Sequence, residues 1–152
     1  MNTLVLVACL AACVPPALSG MLFKPGAWYA SLDKPCWTPP NWMFPVVWAV
    51  LYLSMSVAAA RVATLPNAPV LLAIWAVQIA FNTLWSGVFF GLKNLLGGLL
   101  VLAGLWLAVC MTTAAFLQAD PFAGLLFAPY FVWVSAALAL NFSVWRLNGL
   151  EA

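Results

Sequence analysis

The sequence predicts an all-α membrane protein: a single domain over residues 1–152, built as a five-transmembrane-helix bundle with a long first loop acting as a lid. Three observations predict it. Hydrophobic residues make up 67% of the chain and mean hydropathy is +1.10, whereas soluble domains are about 45–50% apolar. The only charged side chains are Lys24, Lys34, Lys93, Arg61, Arg146, Asp33, Asp120 and Glu151. So few charges cannot cover a 16.3 kDa globule in water, and the apolar surface left over would far exceed the few hundred Å2 that soluble monomers expose. The apolar residues also fall in five continuous runs, not in the alternating segments of about ten residues that mark a membrane β-barrel.

Each run is long enough for the about 20 residues that cross a bilayer core. The first covers residues 3–23 and is closed by Lys24. Leu10-Ala11-Ala12-Cys13 resembles a lipoprotein cleavage box, but no Lys or Arg precedes Lys24, so the positive start of a secretory signal is missing. A retained helix is expected, kinked at Pro15-Pro16, where two backbone donors are lost. The second run extends from Trp42 to Val62 and the third from Pro69 to Phe90. The fourth covers Leu95–Leu117, and the fifth runs from Phe122 to Trp145, closed by Arg146.

The first loop, residues 24–40, reads KPGAWYASLDKPCWTPP. It is long for a bundle connection, and such loops often serve as lids. Pro25, Pro35, Pro39 and Pro40 stiffen it, and Ala27–Leu32 fits a short helix carrying Trp28 and Tyr29. Thr38 is placed to cap the second span, with Pro39 near its first turn. A lid over a pocket mouth and an interfacial ring of aromatics with snorkelling lysines both fit this composition.

With five spans, Lys24, Lys34, Lys93 and Arg146 share one side and Arg61 holds the other. Basic residues favour the cytoplasmic side, so the N-terminus is expected outside and the C-terminus inside. The composition also excludes chemistries. Histidine is absent, which removes His-ligated metal, a Ser-His-Asp triad and a His proton relay. No charged residue lies mid-span, which argues against proton coupling and intramembrane acid–base catalysis. A net charge of +2 provides no basic field for nucleic acid. Cys9, Cys13 and Cys110 lie in spans and Cys36 in the loop, without metal spacing, so structural filler is expected.

The spans instead carry aromatic and amide stripes. Trp75, Gln78, Asn82 and Trp85 share one face of the third span. Trp48, Tyr52 and Ser56 do so on the second, and Tyr130, Trp133, Ala137 and Asn141 on the fifth. Amides at membrane depth seek internal partners, so these faces are expected to point inward. Flat apolar walls with a few neutral hydrogen-bonding groups suit a large, flat, mostly apolar ligand. The same spacing is compatible with plain interhelical packing plus an interfacial belt, to which Trp28, Trp37, Trp42 and Trp145 are suited. Ala76 with Ala80, and Gly87 with Gly91, form small-residue pairs that serve either internal packing or a dimer face.

Trp28-Tyr29, the run Lys34-Pro35-Cys36-Trp37-Thr38-Pro39-Pro40, then Trp42, Pro45 and Trp48 resemble the translocator protein family. This family is also called peripheral benzodiazepine receptor or tryptophan-rich sensory protein. Gln78, Asn82, Trp85 and Phe89-Phe90-Gly91 extend the resemblance, as do Pro129-Tyr130, Trp133, Ala136-Ala137, Leu140-Asn141 and Trp145-Arg146. It covers essentially the whole chain. It implies a commonly dimeric five-helix bundle that binds protoporphyrin IX-like tetrapyrroles, as ligand and not cofactor, together with sterols and benzodiazepine-site ligands. It places the pocket under the first loop, at Trp28, Trp37, Trp48, Tyr52, Asn82, Trp85, Trp133, Ala137 and Asn141. By charge sign, Lys24 or Lys34 would meet the propionates. The resemblance implies roles in tetrapyrrole transport, sensing or regulation. Tryptophan-assisted porphyrin breakdown, which would make the protein an enzyme, and a membrane scaffold are the rival readings. Two departures matter: Phe142 stands where the animal sterol motif has Tyr, which puts sterol binding in doubt, and Cys36 replaces a Trp of some bacterial relatives.

Overall fold

The fold follows from where prolines and capping side chains let helices begin. The computed structural model describes residues 2–149, so Glu151 lies outside the described residues. The elements are α1 (Thr3–Ala12), α2 (Val14–Leu22), α3 (Ala27–Ser31), α4 (Met43–Val62), α5 (Ala68–Ser86), a π-helical turn (Gly87–Gly91), α6 (Leu95–Ala119) and α7 (Pro121–Asn148). Asn2 caps α1 through Leu4 N at 2.9 Å and Asn94 caps α6 through Gly97 N at 2.7 Å. The Asp120 carboxylate accepts from Phe122 N and Ala123 N at the start of α7. Each cap satisfies donors that a helix end leaves free. Among the described residues five segments are long and apolar enough to cross a membrane: Thr3–Leu22, Met43–Val62, Ala68–Gly91, Leu95–Ala119 and Pro121–Asn148.

Three local expectations are corrected. The first span breaks at Cys13, ahead of Pro15-Pro16: Cys13 N reaches back only to Leu10 O at 3.0 Å, and α2 restarts at Val14. The prolines then occupy the first turn of α2, where a missing N–H has no partner to lose. Thr38 does not cap the second span. Its hydroxyl donates to Pro35 O at 2.6 Å and closes a loop turn, and α4 begins only at Met43. The third span reaches Phe90 as expected, but after Ser86 it widens into the π turn, with Leu92 N bonded to Gly87 O at 2.8 Å. The fifth span runs past Trp145 to Asn148.

α1 packs on α4 and α2 on α5; α4 meets α7, α5 meets α6, and α6 and α7 share the largest contact. Around the bundle the spans therefore follow the order first, second, fifth, fourth, third. Ser19 Oγ donates to Thr83 O at 2.7 Å, joining the first and third spans. Just beyond, Phe23 lies across Gly87 and Gly91; a Cβ on Gly91 would fall 2.8 Å from its ring. Those two glycines thus serve packing within the chain, while Ala76 and Ala80 are exposed. Pro129 lies inside α7, and Ser54 of α4 donates to the nearby Leu126 O at 2.6 Å, as expected where proline disturbs a membrane helix. Trp106 bonds Ser135 Oγ at 2.8 Å and packs on Phe131, tying α6 to α7. Cys9 and Cys13 are buried, with Cys13 Sγ 3.4 Å from Ser56 Oγ.

At the end opposite the first loop, Arg61 Nε donates to Asp120 Oδ2 at 2.8 Å, and the guanidinium covers the Phe122 ring at 4.8 Å. The Arg61 hydrogen bond is the main reason that the Asp120 carboxyl lies below its ordinary range, aided by the backbone donors. A lowered folded-state value stabilises the fold above the ordinary carboxylate range, and the effect disappears as pH falls through the lowered value. Asp120→Asn keeps a capping oxygen but loses the ion pair. It is expected to lower the thermal midpoint at pH 7, and the difference from wild type should shrink once pH drops below about 4. Melting curves across pH check this; a gap that persists undiminished into acid would contradict it.

Candidate functional site under the first loop

The sequence-selected residues meet in two connected layers. The deeper layer lies between α4, α5 and α7. Asn82 Nδ2 donates to the Tyr130 hydroxyl at 3.0 Å, which in turn donates to Gln78 Oε1 at 3.0 Å. Gln78 Nε2 lies 3.8 Å from Met55 Sδ. Trp48 stacks on Tyr52 at 5.5 Å and meets the Tyr130 ring edge-on at 5.9 Å. One turn of α4 nearer the loop, Phe44 meets Trp133 at 5.6 Å.

The shallower layer is aromatic and is covered by α3. Trp85 stacks on Phe89 at 5.4 Å, and Trp28 of the loop stands edge-on to Phe89 at 5.8 Å. Tyr29 contacts both Phe89 and Phe90. Leu140 and Val144 of α7, with Trp28, Leu32 and Phe44 around them, close the cluster. Gly98 permits this arrangement, since a Cβ there would fall 2.7 Å from Phe89. The π turn holds Phe89 and Phe90 side by side, and single π turns occur frequently at functional sites.

The satisfied and unsatisfied polar groups divide sharply. Asn82 and Gln78 are engaged with Tyr130. By contrast, the indole nitrogens of Trp75, Trp85 and Trp133 and both side-chain polar atoms of Asn141 are buried without a hydrogen-bond partner. A buried polar group without a partner costs about 1–3 kcal/mol, so several around one aromatic cluster call for an explanation. Asn141 follows Trp133 and Ala137 on one face of α7. Trp85 and Trp133 belong to the aromatic walls just described, whereas Trp75 lies deeper in the main core.

The loop is fastened over these walls. Asp33 N donates to Asn148 Oδ1 and Asn148 Nδ2 donates to Asp33 O, both at 2.9 Å. Lys34 Nζ donates to Tyr29 O and Leu32 O at 2.7 Å each and lies 4.9 Å over the Tyr29 ring. Burial raises the Tyr29 phenol above its ordinary value. Between α3 and the Thr38–Asn41 segment a cleft of about 640 Å3 stays open, with Tyr29 and Lys34 on its wall. Lys24 is exposed, and Trp37 is 50% exposed and outside both aromatic layers. Asn148→Ala is expected to speed hydrogen exchange across residues 27–34 by about tenfold, because each lost bond contributes roughly 0.5–1.5 kcal/mol. Exchange no faster than wild type would rule out a latch.

Phe44, Phe89 and Asn148 were not among the sequence-selected site residues. Phe44 precedes Trp48 and Tyr52 at four-residue spacing, and Asn148 lies seven beyond Asn141, so extending the stripes reaches both. Phe89 is brought in by the π turn, for which single-residue patterns carry no signal.

A five-span bundle with an uncharged aromatic and amide interior, covered at one end by a short helix, defines an integral multi-pass membrane protein. The TspO/MBR family profile matches residues 4–146, and the chain belongs to this family. It is 56% identical over 141 residues to Protein CrtK of Rhodobacter capsulatus, covering 90% of this chain and 88% of that one. It is 52% identical to the tryptophan-rich sensory protein of Cereibacter sphaeroides, over 91% of this chain and 88% of the relative. Similarity reaches the human translocator protein, at 36% identity over 80% of this chain and 75% of the relative.

Proposed function

We propose that the chain binds a protoporphyrin IX-like tetrapyrrole, or a related flat and mostly apolar ligand, between the α5 and α7 aromatic walls under α3, and so transports, senses or regulates it. The observation that carries this reading is the set of unpartnered buried groups on Trp85, Trp133 and Asn141 within aromatic walls, where Trp85 stacks on Phe89 and Trp133 meets Phe44 edge-on. A flat ring with polar atoms would supply the missing partners while keeping the stacking area. The rings pack directly against one another, so binding requires the loop to lift and Phe89 or Phe44 to yield. Lys34, on the wall of the loop cleft, would meet a propionate once its Nζ releases Tyr29 O and Leu32 O. Trp48, Tyr52 and Ala137 extend the walls inward, while Asn82 acts through Tyr130. We further propose a homodimer that uses the exposed Ala76 and Ala80, with the N-terminus outside and the C-terminus cytoplasmic.

Titration of the purified protein with protoporphyrin IX, followed by tryptophan fluorescence, tests the reading. Saturable quenching at one ring per chain is expected. Absence of saturation would favour a scaffold, and pigment loss under light would favour breakdown over passage.

A further inference from the structure

A second cavity lies away from the loop, on the outer surface between the first and third spans. It measures about 490 Å3, and its walls include Leu18, Leu22, Phe23, Leu84, Val88 and Leu92. We propose that this groove holds one acyl chain of an anionic phospholipid, with the headgroup phosphate at Lys24 and Lys93. Its position favours a lipid chain over a helix. It spans Pro15 to Leu22 on one side and Thr83 to Leu92 on the other, which at 1.5 Å per residue is roughly 10–14 Å. That is about half the bilayer core, the depth of a single leaflet. The homodimer face proposed above, at Ala76 and Ala80, lies deeper along the same helix, before the groove begins at Thr83.

The mouth of the groove supplies the charge. Lys24 follows Phe23 and Lys93 follows Leu92, both wall residues, and Phe23 lies against Gly91. The two lysines therefore leave the membrane at neighbouring points. Both are exposed, and neither has an ion-pair partner among the described residues. Lys93 is also held at φ 55°, the sole non-glycine residue described with positive φ, a backbone conformation that lysine adopts at a cost. Basic sites at the membrane surface between helices attract anionic headgroups.

Native mass spectrometry of the tetrapyrrole-free protein, with phosphatidylglycerol and phosphatidylcholine of identical chains, tests this independently of the site under the loop. Phosphatidylglycerol is expected to be retained about tenfold better. Lys24→Gln with Lys93→Asn should bring the two lipids to parity; asparagine tolerates the left-handed backbone. Val88→Trp, which fills the groove, should reduce retention of both lipids. Equal retention by wild type, a preference that survives loss of both lysines, or full retention by a folded Val88→Trp protein would overturn the proposal. Lys93→Asn alone, at an exposed site, keeps the test valid should another variant misfold.

Discussion

Replacing Trp85 by alanine is expected to weaken protoporphyrin IX binding by about tenfold or more. The indole presents a flat face, stacked on Phe89 at 5.4 Å, and a buried N–H with no partner. Loss of both stacking and a donor amounts to roughly 1.5–3 kcal/mol at a ligand contact, and about 1.4 kcal/mol is tenfold. Trp133→Ala, on the opposite wall, should act alike. Trp106→Phe is the control: that indole ties α6 to α7 through Ser135, outside the site, so affinity should hold even if stability falls. Equilibrium titrations of the three variants decide the matter. Unchanged affinity in both wall variants would remove the ligand from between α5 and α7.

Tyr130→Phe is expected to destabilise the bundle by about 1–3 kcal/mol, read as a lower thermal midpoint in detergent. The hydroxyl serves two amides at once, accepting from Asn82 and donating to Gln78. Removing it takes the hydroxyl from two amides at positions that are 3% and 0% exposed and leaves Gln78 only the weak contact to the Met55 sulfur. Membrane hydrogen bonds are often worth only about 0.6–1.7 kcal/mol, but here deletion strands the groups that remain. Gln78→Leu combined with Tyr130→Phe should therefore cost less than the sum of the single changes. Strict additivity would show that the three side chains do not act as one network.

Much of this organisation was legible from residue order. Hydropathy placed all five spans, and the stripes through Trp48, Asn82 and Trp133 identified inward faces, because a helix repeats its face every three to four residues. What escaped was local geometry set by contacts distant in sequence. The break at Cys13 depends on where α2 can restart around two prolines. The widened turn at Gly87–Gly91 packs Phe23 on its two glycines and Phe89 on Gly98, contacts that residue order does not display. The bond from Asn82 to Tyr130 is not visible in residue order, because the two lie 48 residues apart. Asn141 is the amide buried without a partner, and nothing in its spacing distinguishes it from Asn82.

α7 is fastened to Arg61 through its N-cap, Asp120, and carries the loop's latch on its last residue, Asn148. In mechanical terms it is a beam pinned at its N-terminal end and braced by α6 along its length. Trp133, Ala137 and Asn141 ride on that beam and form the rigid jaw. The compliant jaw is the facing wall, where the helical ladder is locally re-pitched at the π turn and capped by a five-residue helix held through a single asparagine. Opening should therefore be one-sided, with Phe89, Phe90 and Trp28 moving while α7 keeps its register.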